Sequence, residues 1–265
     1  MTTADTEDSI PLLATDEPAA FELFNVEGKG NAVLVCDHAA NRVPRHLHKL
    51  GLDDVRLADH IAWDPGAAAV ARQLAAHLDA PLVLSAYSRL VIDCNRPLHS
   101  PQSIAEKSAG VTVPGNLALS QNARQARIDA VFRPYHDAIE RLLDRRGGQP
   151  TLFISVHSFT PVLDGEPRLW HIGISWYRDR RFARLLFDEL ARSGDLIVGD
   201  NQPYPIEEVF DYTIPEHGAR RGLPSVMIEI RQDGIRTEAS VQAWAARLAR
   251  ACQRIEAAAL ATGRA

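Results

Sequence analysis

The chain has 265 residues, of which 46% are hydrophobic, and its 29 basic and 34 acidic side chains give a formal net charge of −5 at pH 7. A chain of this length buries enough surface to fold without disulfides, and its three widely spaced cysteines form no disulfide framework. The mild acidity argues against a surface for nucleic acid or an anionic membrane, and no apolar run approaches the ~18 residues that span a bilayer.

The N-terminal segment differs in character from the rest of the chain. Residues 1–20 are polar and acidic, whereas a signal peptide would be basic and then apolar, so we predict a loose leader and a soluble, cytoplasmic protein. Residues 21–265 contain no Pro/Ser-rich linker, repeat or low-complexity tract. They are therefore predicted to form one domain.

Short apolar runs rich in β-branched residues alternate with helical patterns along this domain. Such runs are typical of strands that are buried on both faces of a sheet. Helical spacing between them predicts helices over 66–78, 121–145, 180–193 and 238–261, with Pro134 kinking or dividing the second. The alternation predicts a single three-layer α/β/α domain with a mixed, mostly parallel central sheet. The predicted strands are 32–36, 81–86, 90–92, 152–156, 172–176, 196–198 and 226–230.

Polar residues follow four of the predicted strands, at the point where each strand ends. In open α/β sheets, ligands bind beyond the carboxyl ends of the strands, so these side chains are expected to converge on one crevice. The stretches 98–119 and 200–222 lack periodicity and are predicted to be long loops around it. The polar groups at the four strand ends are Asp37-His38, Asp93 to Arg96, His157-Ser158, and Glu229 to Arg231.

Two histidines at these ends, His38 and His157, suggest a metal site. Two imidazoles with a carboxylate or amide and a water make an open tetrahedral zinc site, although a single histidine is more often a hydrogen-bonded structural residue. Asp64 precedes the helix over 66–78. It is either an N-cap-like residue or a further metal ligand.

The remaining polar residues suggest acid–base chemistry on an anionic substrate. Glu229 lies inside an apolar run, and carboxylates are rarely buried unless paired, so it is either paired with Arg231 or Arg89 or acts as a general base. Arg89, Asn95 and Arg96 have the donors to hold a carboxylate, with surface salt bridging as the alternative for the arginines. No GxSxG, GxxxxGK[ST] or strand-following GxGxxG motif is present, which weakens serine hydrolase, P-loop NTPase and dinucleotide oxidoreductase interpretations.

Five sequence blocks occur in an order that resembles the N-formylglutamate amidohydrolase family. That family is similar to zinc carboxypeptidases and aspartoacylases. The resemblance therefore implies a zinc-carboxypeptidase-like fold, one zinc ion, and hydrolysis of the amide bond of an N-formyl or other N-acyl amino acid such as N-formylglutamate. The blocks are VLVCDHAANRVP (33–44), HIAWDPGA (60–67), YSRLVIDCNRP (87–97), SVHSFTP (155–161) and GLPSVMIEIRQD (222–233).

The resemblance assigns roles to the metal-binding residues. His38 and His157 match zinc ligands. Where the wider zinc pattern HxxE has a glutamate, this chain has Asn41, and a neutral amide is a weaker ligand than a carboxylate. The third protein ligand is accordingly Asn41, Asp37 or Asp64.

The resemblance also assigns the residues that act on the substrate. Glu229 matches the general base, and Arg89 resembles the arginine that polarises the scissile carbonyl. Asn95 and Arg96 match the pair that grips the substrate carboxylate, and Arg231 is placed with them as a substrate-binding residue. The residues 21–265 would then form the catalytic domain.

Two other functions are compatible with the same residues. The first is a related deacylase or carboxypeptidase-like hydrolase that acts on another amide. The second is a non-catalytic module that binds small carboxylates, in which the substitution at Asn41 accompanies loss of the hydrolytic centre. The expected partner in each case is a small molecule, and the sequence leaves the oligomeric state open.

Overall fold

A seven-stranded sheet runs through the computed structural model, which describes residues 11–261. The strands are β1 (Phe21–Phe24), β2 (Ala32–Cys36), β3 (Leu82–Ser85), β4 (Lys107–Ser108), β5 (Val111–Thr112), β6 (Leu152–Phe159), β7 (Val162–Leu163), β8 (Glu166–Pro167), β9 (Ile172–Ser175), β10 (Val198–Asp200) and β11 (Ser225–Arg231). The order in the sheet is β1-β3-β2-β6-β11-β9-β10, and β4–β5 and β7–β8 form separate hairpins. The four strands β3, β2, β6 and β11 are parallel, β1 is antiparallel to β3, and the parallel pair β9–β10 is antiparallel to β11.

Residues 11–261 contain six helices. Pro134 lies in the first turn of α4, and a π-helical turn precedes it, because proline has no backbone donor for the preceding turn. The helix predicted over 121–145 is therefore divided there. The helices are α1 (Asp54–Ala58), α2 (Ala67–His77), α3 (Gln121–Arg127), α4 (Arg133–Arg146), α5 (Arg181–Ala191) and α6 (Glu238–Ala261); short 3-10 turns span Arg45–Gly51, Pro101–Ile104, Pro114–Asn116 and Gln232–Ile235, and π turns span Ile128–Phe132 and Ile214–Ala219.

Successive residues of each strand pack on opposite faces of the sheet, which produces two buried layers. In β2, Leu34 and Cys36 pack on the side of α2, α5 and α6, whereas Val33 and Val35 pack on the side of α4. Each buried aliphatic side chain contributes roughly 1.5–3 kcal/mol by leaving water. The predicted three-layer α/β/α architecture with a mixed, mostly parallel sheet is confirmed. No helix within residues 11–261 is long and apolar enough to cross a membrane.

One predicted strand does not form, and one observed strand was not predicted. Residues 90–92 form a turn rather than a strand, since Val91 N–H donates to Ser88 O and Asn116 Nδ2 donates to Leu90 O. Their apolar character reflects burial in the α4-side layer. Strand β1, which was not predicted, is short, partly exposed and at the edge of the sheet.

The predicted leader is held against the domain in the part that the structure describes. Residues 1–10 lie outside the described residues. Residues 11–20 contain no helix or strand, but Tyr87 Oη donates to Pro18 O at 2.7 Å and Ala86 N–H donates to Ala20 O at 2.9 Å. These contacts hold Pro18 and Ala20 beside the end of β3.

Candidate active site

A cavity of about 470 Å³ opens where the parallel strands end. His38 follows β2, and Arg89 follows β3. His157 and Glu229 lie near the C-terminal ends of β6 and β11. Because these strands are parallel, all four side chains lie at the same edge of the sheet. Ligands of such sheets bind beyond the carboxyl ends of the strands, so this cavity is the candidate site. Asp64 joins them from the turn before α2.

Three aspartates contact the two cavity histidines, and each histidine directs its Nδ1 toward Asp64. His157 Nε2 lies 3.0 Å from Asp37 Oδ2, and its Nδ1 lies 2.9 Å from Asp64 Oδ2. His38 Nε2 lies 2.7 Å from Asp93 Oδ1, and its Nδ1 lies 3.4 Å from the same oxygen of Asp64. An ionised carboxylate only accepts hydrogen bonds, so Asp37 and Asp93 each receive an Nε2–H, and both Nδ1 atoms face Asp64.

Asp37 is anchored from several directions on the far side of His157. Its carboxylate accepts hydrogen bonds from Tyr135 Oη at 2.9 Å, Ser155 Oγ at 2.9 Å and Thr213 Oγ1 at 2.7 Å. Burial would raise the pKa of Asp37, but the hydrogen bond and charge of His157, together with His38 and the Thr213 hydroxyl, hold it well below its usual range. Asp37 thus orients a histidine, and the carboxylate that faces both Nδ1 atoms is that of Asp64.

Arg89 holds the Asp93 carboxylate in place. Its Nε and Nη2 donate to Asp93 Oδ2 at 3.0 Å and 2.6 Å, which leaves Nη1 3.7 Å from Asp64 Oδ1. Burial would raise the pKa of Asp93, yet Arg89 and His38 keep it well below its usual range. The guanidinium is therefore fixed with one nitrogen directed at the cavity.

The group formed by His38, Asp64 and His157 fits a divalent metal. One ligand atom from each lies within 4.8 Å of the others, and all three residues are buried. Without a cation between them, two Nδ1 lone pairs and a carboxylate would face each other, so protonation must compensate: burial would lower the pKa of His157, but Asp37 and Asp64 raise it well above its usual range. Two imidazoles and one carboxylate are a donor set that zinc accepts, with room for a further ligand.

Glu229 faces this group without a partner. Its backbone is in register with His157 on β6 and with Gly173 on β9, and its Oε2 is buried with no hydrogen bond. Burial raises the pKa of Glu229 to about 7. On the β9 side, a Cβ at Gly173 would lie 1.9 Å from Gln202 O, so the absent side chain allows residues 201–205 to close over the strand. The predicted pairing with Arg231 or Arg89 is not observed among the described residues.

The remaining predicted site residues fall into two groups. Asn95 and Arg96 line the cavity; Asn95 Oδ1 accepts from Tyr212 and Thr213 N–H, and Arg96 Nη1 donates to Asp211 and to two backbone carbonyls. Asn41 and Arg231 do not line it. Asn41 Nδ2 donates to Leu57 O at 2.8 Å, and Arg231 donates to Asp233 and to Arg168 O.

Sequence reasoning gave Asp37 and Asp93 no histidine-orienting role, and it did not identify Tyr135 and Thr213, which hold Asp37. Asp93, Tyr135 and Thr213 are each far in the sequence from the residue that they contact. Of the three, only Asp93 directly follows a predicted strand. The signal that pointed to it was an acidic residue directly after a buried apolar run. The hydroxyl donors of Tyr135 and Thr213 carry no comparable sequence signal.

Comparison with known proteins identifies a family and similar structures. The N-formylglutamate amidohydrolase family matches residues 30–236. A crystal structure of a gene product from Agrobacterium tumefaciens is 38% identical, covers 92% of this chain and 99% of its own, and superposes with a TM-score of 0.88. The N-formylglutamate amidohydrolase from Ralstonia eutropha has the same fold at 20% identity, with 90% and 97% coverage and a TM-score of 0.62.

No curated protein matches the chain. The family match nevertheless extends over most of the domain and includes every element that contributes a side chain to the cavity. The chain belongs to the N-formylglutamate amidohydrolase family, whose members are hydrolases that act on amide bonds.

Proposed function

We propose that this protein is a zinc-dependent amidohydrolase that removes a formyl group, or another small acyl group, from an N-acyl amino acid with a free carboxylate. The observation that carries the proposal is the unpartnered Oε2 of Glu229, buried in the same cavity as His38, Asp64 and His157. A desolvated carboxylate beside a metal-binding group is the arrangement that general-base hydrolysis needs.

His38, Asp64 and His157 are the residues proposed to hold one zinc ion, a role that their burial, convergence and donor chemistry support. Zinc in this position would supply Lewis acidity toward the substrate carbonyl and the attacking water. Asp37 and Asp93 keep the two imidazoles oriented, since each accepts the Nε2–H on the opposite edge of a ring.

The chain's own residues carry the proton and the developing charge. Glu229 takes a proton from the water whose oxygen attacks the acyl carbon, and then delivers that proton to the amide nitrogen as the C–N bond breaks. The products are the free amino acid and a carboxylic acid, which is formate for an N-formyl substrate. Arg89, fixed by Asp93, directs Nη1 at the cavity to stabilise the oxyanion; a donor of this kind is worth roughly 3 kcal/mol.

The substrate carboxylate is proposed to bind Arg96. Among the described residues, the Arg96 guanidinium donates all three of its hydrogen bonds through Nη1. Nη2 and Nε therefore remain available to a ligand in the cavity that Arg96 lines. Asn95 supports this position by holding residues 211–213 through its amide. The assignments of Asn41 as a ligand and Arg231 as a substrate-binding residue have no support from their contacts.

The proposal is tested by measuring formate release from N-formylglutamate with zinc-loaded protein. Glu229→Gln should lower kcat by about 10²- to 10⁴-fold, because the base is replaced by a neutral amide of the same shape. The matched control is Glu238→Gln at an exposed position in the first turn of α6, which should leave kcat unchanged. Near-native turnover by Glu229→Gln with zinc bound would show that the mechanism is wrong.

A panel of substrates separates the related functions. Hydrolysis of a peptide or another amide, with no turnover of N-formyl or N-acetyl amino acids, would indicate the related hydrolase. Tight carboxylate binding without turnover or zinc uptake would indicate the binding module. We also propose that the protein acts in the cytoplasm on small molecules, without nucleic-acid or membrane partners, as its composition suggests.

A further inference from the structure

Three apolar side chains line the cavity where the rest of the chain covers them only in part. Phe210 is 54% exposed, Tyr204 is 39% exposed, and Leu163 is half-buried. Leu163, Tyr204 and Phe210 are named the apolar rim below. Single exposed apolar residues are common on protein surfaces, but apolar side chains that share one functional cavity indicate that a ligand covers them. The proposed mechanism uses none of the three.

Phe210 is tied to the arginine that is proposed to bind the substrate carboxylate. Arg96 Nη1 donates to Phe210 O at 2.9 Å and to Asp211 Oδ1 at 3.2 Å. The turn that carries both residues is closed on Glu207 O, which accepts from Phe210 N–H at 2.8 Å and from Asp211 N–H at 2.7 Å. A substrate whose carboxylate contacts Arg96 therefore has its α-carbon, and the side chain on it, close to Phe210.

The other two residues of the apolar rim are also held in place. Leu163 lies in β7 and is paired with Glu166 of β8. Ser175 Oγ donates to Tyr204 O at 2.7 Å, and the guanidinium carbon of Arg168 lies 4.7 Å from the centroid of the Tyr204 ring. Because these contacts fix the rim before a ligand arrives, little ordering of the protein opposes binding there.

Every basic side chain that lines the cavity within residues 11–261 already has a partner or a proposed role. Arg89 is bound to Asp93, and Arg96 receives the substrate carboxylate in the proposed mechanism. His60 Nδ1 lies 2.6 Å from Asp59 Oδ1. The other two histidines belong to the proposed metal centre. These basic residues are His38, His60, Arg89, Arg96 and His157.

An acidic side chain lines the cavity beside the apolar rim. Glu207 is exposed, and the hydrogen bonds that it makes within residues 11–261 use only its backbone, so its charge is not paired. A second carboxylate on the substrate would be repelled by Glu207, whereas a neutral side chain would not. The charges of the cavity therefore disfavour an acidic side chain at the rim.

We propose that the apolar rim is a specificity site for an apolar side chain, so that the enzyme prefers N-acyl derivatives of large apolar amino acids to those of polar or acidic ones. This inference rests on the proposed amidohydrolase function. With the substrate carboxylate on Arg96 and the acyl group at Glu229, the side chain is the part of the substrate that remains to cover the rim. Binding is favoured because the apolar surfaces of both leave water.

The test compares the N-formyl derivatives of norleucine, glutamine and glutamate, whose side chains are similar in length. Wild type should show a kcat/KM at least about 10-fold higher on the norleucine than on the glutamine derivative, and the lowest value on the glutamate derivative. Phe210→Ala should lose about 5- to 20-fold on the norleucine derivative and less than about 2-fold on the glutamine derivative. Phe210→Leu, which keeps an apolar side chain, should retain most of the preference.

A charge variant tests the unfavourable effect of Glu207. Glu207→Gln should raise kcat/KM on the glutamate derivative by about 2- to 5-fold relative to the glutamine derivative, as expected for an exposed pair of like charges. An unchanged ratio would contradict the repulsion assigned to Glu207.

The matched control is Val209→Ala, because Val209 precedes Phe210, is 60% exposed and does not line the cavity. It should leave all three kcat/KM values unchanged. An equal loss on the norleucine and glutamine derivatives in Phe210→Ala would show that Phe210 only maintains the turn. A wild type that prefers the glutamine or glutamate derivative, or has no preference, would overturn the inference, while formate release from any of the three leaves the amidohydrolase function intact.

A binding measurement judges the inference even if the proposed function fails. Should wild type hydrolyse none of the derivatives, calorimetry with free norleucine and free glutamine would replace the kinetics. Norleucine should bind wild type at least about 10-fold more tightly than glutamine, and most of this difference should disappear in Phe210→Ala but not in Val209→Ala. Equal affinity for the two amino acids, or binding of neither, would overturn the inference.

Discussion

Two pairs of buried histidines lie in this protein, and their surroundings are opposite. The rings of His38 and His157 are 4.9 Å apart, and those of His136 and His217 are 5.1 Å apart. The first pair faces Asp37, Asp64 and Asp93, whereas the second is packed against Phe132, Tyr135 and Tyr212. Burial is similar in the two pairs, so the difference between them comes from the neighbouring charges.

The second pair is satisfied without any cation. His136 Nε2–H donates to Cys94 O at 2.9 Å, which leaves His136 Nδ1 to accept the Nε2–H of His217 at 2.9 Å. Burial lowers the pKa of His136 to about 4 and that of His217 to about 2. The aspartates reverse this effect at His38 and His157. Carboxylates thus hold both ring edges in the pair that we propose to bind a metal, whereas among the described residues no carboxylate hydrogen-bonds to the second pair.

Exchange of one histidine from each pair tests this contrast and should have the largest effect. His157→Gln should lower activity by more than about 100-fold and weaken zinc binding, since even the partners of metal-bound histidines are worth about 10- to 100-fold. His217→Gln should leave the zinc content unchanged. Steady-state kinetics and metal analysis of both variants would measure this, and loss of zinc from His217→Gln alone would reverse the assignment of the pairs.

Removal of a charge behind the metal-binding pair should have an intermediate effect. Asp37→Asn replaces a carboxylate that accepts Nε2–H of His157 by an amide of the same size, and should weaken zinc affinity about 10- to 100-fold. Competition with a chelator measures the affinity. Asp129→Asn, at an exposed position paired with Arg133, is the matched control and should bind zinc as wild type does. Equal affinities for all three proteins would contradict the role of Asp37.

Replacement within the structural pair should affect stability rather than chemistry. His136→Phe fits among the surrounding rings but leaves Cys94 O and His217 Nε2–H without a partner, at a cost of about 2–4 kcal/mol in the free energy of unfolding. Chemical denaturation measures this cost. Zinc content should be unchanged. A variant as stable as wild type would show that this hydrogen-bonded chain contributes little.

The structural pair also predicts how stability depends on pH. A histidine in the unfolded chain binds its proton near pH ~6.5, whereas His136 in the folded protein does so only near a pKa of about 4. The unfolded state therefore binds more protons between these values. The contribution of His136 to the free energy of unfolding is therefore complete above pH ~6.5 and is lost toward pH ~4. The loss is up to about 1.4 kcal/mol per pH unit for one histidine. The decrease should be smaller in His136→Phe, and an identical decrease in both proteins would contradict this account.

The sequence predicted the fold because the sheet depends on local patterns. The apolar runs of β2, β6 and β11 are interior strands, and the polar residues after them converge because parallel strands end at the same edge. The prediction failed at residues 90–92, where an apolar run reports burial in a turn rather than extension. A short run of apolar residues is expected both for a buried turn and for a strand, so the sequence alone does not distinguish them.

Parts of the site could not be predicted because they depend on long-range geometry. His38, His157 and Glu229 stood out as polar residues in or after apolar runs, and Asp64 stood out as a residue before a predicted helix. The fold brings all four to one cavity. The direction of a side chain at the end of a strand has no comparable signal. Arg231 lies two residues after Glu229 in β11, yet its guanidinium turns to the carbonyl of Arg168 and away from the cavity.

The central claim is that His38, Asp64 and His157 form a metal centre, and metal analysis of Asp64→Asn tests it most directly. Asp64 is the one residue whose carboxylate faces both Nδ1 atoms. Wild type exposed to zinc and dialysed should retain about one ion per chain, as should the exposed control Asp144→Asn. Asp64→Asn should retain far less. Stoichiometric zinc in Asp64→Asn, or none in wild type, would contradict the account.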